Sequence, residues 1–217
     1  MTNLRLFDYA ASGNCYKVRL LLAQLDLPYE RVPVDIFDGG TLTDDFARMN
    51  PFRSTPVLQI GPDHYLVESN AILVYLSDGS VYAADSSVER SEIVRWLIYE
   101  QTDVMPSIGG LRFRLATGRL APGDPEAVRR RTAGQEVLNI LDDHLRKHDF
   151  LVTNRYSIAD IAVYGYLHVA HEAGYEMSRW PLVETWLSRV AEQPRHLNNL
   201  APYPENARIG AGRSSYD

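Results

Sequence analysis

As far as Gly79 the chain alternates short apolar runs with amphipathic stretches, whereas beyond Ser87 its apolar residues recur only at helical spacing. A strand buries every second residue and a helix every third or fourth, so this change of period calls for two separately built layers. The expectation is an α/β domain over residues 1–79, a polar linker at 80–87 and an all-α helical domain over 88–217 ending in an irregular tail. Within the first part, Leu4–Asp8 reads as a strand. A helix follows, carried by Cys15, Val18, Leu21, Leu22 and Leu25, and then an edge strand around Pro33. A short helix near Leu42–Met49 stops at Asn50-Pro51; "PVLQI" and "HYLV" form a hairpin; a helix opening at Glu68-Ser69 ends at Gly79.

The second part is expected to begin with a long helix kinked at Pro106 and Gly109-Gly110. The next starts with Asp124 as N-cap and Pro125 at its first position. A third opens on the capping box Ser157-Ile158-Ala159-Asp160.

A formal net charge of −6 disfavours a nucleic-acid role, since phosphate neutralisation needs clustered Lys and Arg. The run Arg129-Arg130-Arg131 points in different directions around a helix and makes no stripe. A single cysteine excludes an internal disulfide and suits a reducing compartment. No apolar run reaches the ~18 residues of a membrane span. The first residues carry no basic-then-apolar leader pattern, so a cytoplasmic protein is expected.

Three segments have the makings of chemistry. At "SGNCYK" a helix start places Ser12, Asn14 and Cys15 where unpaired amides and roughly half a positive charge stabilise an anion. Ser-x-x-Cys copies the Cys-x-x-Cys redox motif with serine at the exposed, nucleophilic position, and Cys15 falls on the apolar stripe. In "NPFRSTPVLQI", Thr55-Pro56 is a candidate cis bond, leaving the Val57 backbone able to pair with an extended peptide. In "VESNAI", Glu68 and Ser69 bring an acid, a hydroxyl and helix-end amides together, a combination suited to an amino acid head group. Each segment by itself also has an ordinary reading as a cap or a strand boundary.

In their joint order these pieces resemble the cytosolic glutathione S-transferase family, in particular its bacterial serine-type, theta- and nu-like members, over almost the whole chain. The resemblance implies a thioredoxin-like N-terminal domain, an all-helical C-terminal domain, glutathione as cosubstrate, no metal and a homodimer. It implies that Ser12 and Asn14 are catalytic, supporting the glutathione thiolate. Thr55, Pro56 and Val57 would pair with the cysteinyl backbone, and Glu68 and Ser69 would hold the γ-glutamyl head. Arg53 stands one place before the position, here Ser54, where many relatives carry a basic partner for the glycyl carboxylate. Ser157 and Asp160 match a folding element.

The acceptor, a hydrophobic electrophile or a disulfide, would meet Phe7, Tyr9, Ala10, Met105, Ile108 and Arg112, with Tyr203 and Tyr216 of the tail as a cover. The implied activity is glutathione transfer in detoxification, with no nucleic-acid or membrane partner. Glutathione-dependent reduction of disulfide bonds or peroxides, and a non-catalytic glutathione-binding or docking module, are the alternatives.

Overall fold

In the computed structural model, which describes residues 4–152 and 154–216, two units are built separately. One comprises the chain up to Leu76 together with the stretch from Leu197 onward; the other is Ser77–His196.

The first unit is organised by a four-stranded sheet in the order β2-β1-β3-β4, from β1 (Leu4–Asp8), β2 (Tyr29–Pro33), β3 (Val57–Gly61) and β4 (His64–Val67). β1 runs parallel to β2 and antiparallel to β3, and β3 runs antiparallel to β4. The register sets Phe7 opposite both Val32 and Val57, and Phe7, Phe46 and Val57 form a buried cluster. Pro33, which has no N–H to give a ladder, lies on the outer strand. The helices α1 (Gly13–Gln24), α2 (Asp44–Met49) and α3 (Ser69–Ser77) complete the α/β framework. Thr43 caps α2 by accepting from Phe46 N at 3.1 Å, so that helix starts two residues later than its apolar pattern suggests.

The helical unit contains α4 (Ser87–Tyr99), α5 (Gly110–Ala116), α6 (Pro125–His144), α7 (Ile158–Leu167) and α8 (Pro181–Ala191). The expected kink between α4 and α5 is instead a π-helical segment, Glu100–Gly109, with Pro106 inside it. Proline has no N–H for the α ladder, and a wider helical turn accommodates that loss. A Cβ at Gly109 would sit 2.3 Å from the Tyr166 ring, so glycine is what lets this segment approach α7. Asp124 does start α6, but its carboxylate accepts from Ala121 N (2.6 Å) and makes no cap bond to the helix. The start of α8, which has no side-chain cap of its own, is served from α6: Asp142 accepts from Leu182 N (2.9 Å) and Val183 N (3.3 Å).

Two expectations about boundaries are corrected. The 80–87 stretch is pinned to the helical unit, because Tyr82 O accepts from Ile158 N (3.2 Å) and Arg155 donates to Ala83 O (2.7 Å) and Glu89 (2.6 Å). The tail groups with the α/β unit and not with the helices. Tyr16 Oη donates to Leu197 O (2.6 Å), Arg19 Nε to Asn199 Oδ1 (3.1 Å) and Ala201 N to Ala10 O (3.1 Å).

The capping box at α7 is a hub of buried hydrogen bonds. Asp160, fully buried, accepts from Leu151 N (2.9 Å), Ser157 N (3.0 Å) and Trp186 Nε1 (3.0 Å), tying the loop before α7 to α8. Leaving such donors unpaired costs ~1–3 kcal/mol each. Asp160→Ala is therefore expected to lower unfolding stability by at least ~3 kcal/mol, while a surface control such as Glu92→Ala changes it little. Urea denaturation followed by circular dichroism checks the difference.

Candidate active site

The loop Tyr9–Ser12 between β1 and α1 is set by charge. Asp8, buried at the end of β1, takes Arg19 of α1 and Arg31 of β2 as partners, and Arg19 Nη2 also donates to Ala10 O (3.2 Å). Ser12 N donates to Tyr9 O (3.1 Å), and Ser12 itself is extended, with φ −80° and ψ 123°. Its Oγ accepts from Cys15 N at 3.3 Å. This is an N-cap in which the oxygen works as acceptor, so the hydroxyl proton is not consumed by the cap.

Behind that cap lies Cys15, with no exposed surface. Burial pushes its thiol up to about 11, and the Asp8 charge adds to the effect against hydrogen bonds from Thr55, Tyr9 N and Ser12. A thiol so placed is neutral at physiological pH and out of reach of a reactant.

A second helix start meets the first. Glu68 has φ 68°, a left-handed conformation that costs a non-glycine residue ~1–3 kcal/mol and is found where the surroundings impose it. Its carbonyl accepts from Ile72 N (2.9 Å), which makes it the entry to α3. Ser69 Oγ donates to Asn14 Oδ1 (3.1 Å), and one residue further along α3 the buried Lys17 donates from Nζ to Asn70 Oδ1 (3.1 Å). These bonds clamp the starts of α1 and α3 together. Opposite them the Thr55–Pro56 bond is cis, and the loop before it is held by Asn50, whose Nδ2 donates to Ser54 O (2.8 Å).

Ser12, Asn14, Ile36, Ser54, Thr55, Pro56, Glu68, Ser69 and Tyr216 thus line one cavity of about 160 Å³. Two helix N-termini border it, each favouring negative charge, and its wall offers hydroxyls and one carboxylate but no thiol. Such a wall suits a small ligand that carries carboxylate, ammonium and thiolate groups.

The other expected residues lie elsewhere. Val57 directly follows the cis Thr55–Pro56 bond at the start of β3, with its side chain buried against Phe7 and Phe46, whereas Phe7 is a core residue rather than a pocket wall. Arg53, also left-handed at φ 54°, spends its guanidinium on Thr41 O and Thr43 O, both at 3.2 Å. It braces the loop before α2 and does not line the cavity. Tyr9 and Ala10 line a separate space of about 270 Å³ that includes Arg31, Val34 and Pro202. In the helical unit Ile108 is buried, Met105 is half-buried, and Arg112 is buried with Nε 2.6 Å from Glu172.

Sequence reasoning passed over Ile36 and Lys17. The first carries no local signal, and the second stands among apolar neighbours that predict a buried face. Among the described residues no cluster of His, Cys, Asp and Glu is suited to a metal, and no helix is long and apolar enough to cross a membrane.

Comparison with known proteins gives the same outline. The family of glutathione S-transferase N-terminal domains matches residues 2–78, and that of the C-terminal domains matches residues 104–194. A solved glutathione S-transferase from Pseudomonas fluorescens is 38% identical with a TM-score of 0.88, covering 91% of this chain and 99% of its own. A glutathione transferase family member from the same species, solved with two glutathione bound, is 27% identical with a TM-score of 0.78, over 89% of this chain and 90% of its own. Disulfide-bond oxidoreductase YfcG of Escherichia coli is 26% identical, covering 86% of this chain and 89% of its own length.

The burial of Cys15 has a direct chemical consequence. Native protein at pH 7.5 is expected to resist iodoacetamide over hours, whereas the urea-unfolded chain takes up one carbamidomethyl group, as read by intact-mass spectrometry. Rapid labelling of the native protein would contradict the sealed position.

Proposed function

Because the chain belongs to the glutathione S-transferase family, we infer that it is a glutathione transferase and that the Ser12 cavity is where it holds glutathione. The observation that carries the placement is the meeting of Ser12, Asn14, Thr55, Pro56, Glu68 and Ser69 around one cavity from which Cys15 is shut out. The γ-glutamyl carboxylate would lie at the start of α3 near Ser69, and its ammonium against Glu68. The cysteinyl backbone would extend along Thr55-Pro56, which brings the sulfur to the Ser12 hydroxyl at the positive end of α1. Arg53 has no part in this reading.

The chemistry follows from that placement. A free thiol has a pKa of ~8.5, so at neutral pH only a few per cent is thiolate. Donation of one hydroxyl hydrogen bond to a charged acceptor is worth ~1.5–3 kcal/mol, or one to two pKa units, and helix-end amides add to it. The bound thiol releases its proton to solvent. The thiolate then attacks an electrophilic carbon, forming a C–S bond as the electron pair moves to a leaving group or into the acceptor's π system. Proximity and thiolate stabilisation supply the rate, since the nucleophile belongs to the cosubstrate.

A reducing cytoplasm, where glutathione stays a thiol, suits this reaction, and an isologous homodimer belongs to the same reading. Sizing in solution checks the dimer.

One comparison favours a second reading: a relative over most of the chain is a disulfide-bond oxidoreductase. There the glutathione thiolate would attack a disulfide sulfur and expel one thiolate. A second glutathione would then resolve the mixed disulfide, leaving oxidised glutathione and the reduced thiols. Neither step needs a protein thiol, which fits a sealed Cys15.

Ser12→Ala is expected to lower kcat at pH 7 by about 10- to 100-fold and to move the pH–rate inflection up by about one to two units, with glutathione affinity nearly unchanged. Cys15→Ser is expected to leave both quantities as they are. Equal rates for wild type and Ser12→Ala against a panel of chloronitroarenes, hydroperoxides and small disulfides would remove Ser12 from the chemistry. The same panel separates transfer from reduction.

A further inference from the structure

The helix α1 is enclosed on nearly every side, and two of its enclosed side chains are cations. Arg19 has a counter-ion in Asp8. Lys17 has no exposed surface and stands between Tyr16 and Val18, which are equally buried, and its Nζ donates to Asn70 Oδ1, a neutral acceptor, at 3.1 Å. Taking an ammonium out of water is costly, and an apolar side chain of similar length would fill the same space without that cost. A cation held there calls for a use, and its position supplies one.

Asn14 and Lys17 are one turn apart on α1, and Ser69 and Asn70 are consecutive at the start of α3. The Ser69–Asn14 and Lys17–Asn70 bonds are therefore neighbouring rungs between the two helices. The first rung faces the Ser12 cavity, whose wall includes Asn14 and Ser69; the second lies behind it, since neither Lys17 nor Asn70 is part of that wall. The reach of one asparagine side chain keeps Nζ within ~10 Å of the Ser69 and Asn70 amides. Those amides have no acceptor inside their own helix and already favour an anion. A positive charge behind them, enclosed by protein, adds to the same potential. The Glu68 carboxylate, which also lines the cavity, acts in the opposite sense. The α3 start thus presents two signs side by side, as an amino acid head group does.

We propose that Lys17 is a positioning residue for glutathione: through Asn70 its buried ammonium sets the charge and the geometry of the α3 start, which makes the site select the α-carboxylate of the γ-glutamyl group. This rests on the placement of glutathione in the Ser12 cavity. Lys17 does not touch the ligand; it acts through Asn70 and the potential at the helix end.

Titration calorimetry on the full chain tests this by comparing reduced glutathione with 4-aminobutyryl-cysteinyl-glycine, the same tripeptide without the α-carboxylate. The ratio of the two affinities is the readout, because an effect on the thiolate or on the glycyl carboxylate is common to both ligands and cancels. Wild type is expected to prefer glutathione. Lys17→Met, which fills the space without charge, and Lys17→Gln, which keeps a donor for Asn70 without charge, are expected to lower the ratio about tenfold, the effect of removing one charge from within ~10 Å at an effective dielectric of ~20. Lys17→Arg is expected to stay within about threefold of wild type. Asn70→Ala, at a half-buried position, is expected to lower the ratio about threefold and carries the test if the Lys17 variants do not fold. Equal weakening of both ligands in Lys17→Met, as a merely structural role would give, would overturn the proposal. So would a wild-type ratio in Lys17→Gln or Asn70→Ala, or a wild type that binds both tripeptides alike. Failure of the wild type to bind either tripeptide would instead sink the placement of glutathione on which the proposal stands.

Discussion

A buried ion pair between Arg19 of α1 and Asp8 at the end of β1 governs the geometry of the site. Both side chains are almost fully enclosed, and removing two charges from water costs several kcal/mol per ion before their attraction returns it. What the pair secures is position. Arg19 spreads its remaining donors over Ala10 O and Asn199 Oδ1, so one guanidinium locks the strand end, the loop after it and the stretch beyond Leu197. Ser12 follows that loop directly, and its cap on α1 is aimed by the same constraint.

From this anchor the site follows as a problem in backbone polarity. Two helices must begin somewhere, and their unpaired N–H groups need acceptors. In this protein the two starts are clamped side by side, through Ser69 and Asn14 and through Lys17 and Asn70, so that their positive ends share one cavity. The α1 start could have activated a thiol of the protein, and a cysteine stands only three residues from the cap. Burial decides against it: Cys15 faces the core, where the lack of solvent outweighs the nearby hydrogen-bond donors and holds the thiol neutral. The charge-stabilising environment is left open to a ligand's thiol.

Much of this could be read along the chain. Ser12 and Ser157 are caps because a short polar side chain reaches an amide two or three residues on, and that depends on immediate neighbours. The helix entry at Glu68-Ser69, the hairpin and the outer strand at Pro33 are legible for the same reason. Residues assigned to the acceptor wall fared differently. Phe7 and Ile108 went into the core, and Arg112 is occupied by Glu172. Arg53, a cation close in sequence to the cis-proline turn, is turned by a left-handed backbone toward the carbonyls of Thr41 and Thr43. None of these outcomes has a signature within a few residues of the position concerned.

The sequence by itself determined where helices and strands start and stop, which residue types stand at those ends, and that the chain is an α/β unit followed by helices. Those properties come from hydrogen bonds and side-chain spacing over four residues or fewer. Tertiary structure alone decided that the starts of α1 and α3 share a cavity, how completely Cys15 is closed off from solvent, and that the stretch from Leu197 returns to the α/β unit. Those depend on contacts between segments far apart in the chain, such as Asn14 with Ser69 and Arg19 with Asn199, whose formation is settled by packing and by the pairing of buried charge, not by local preference.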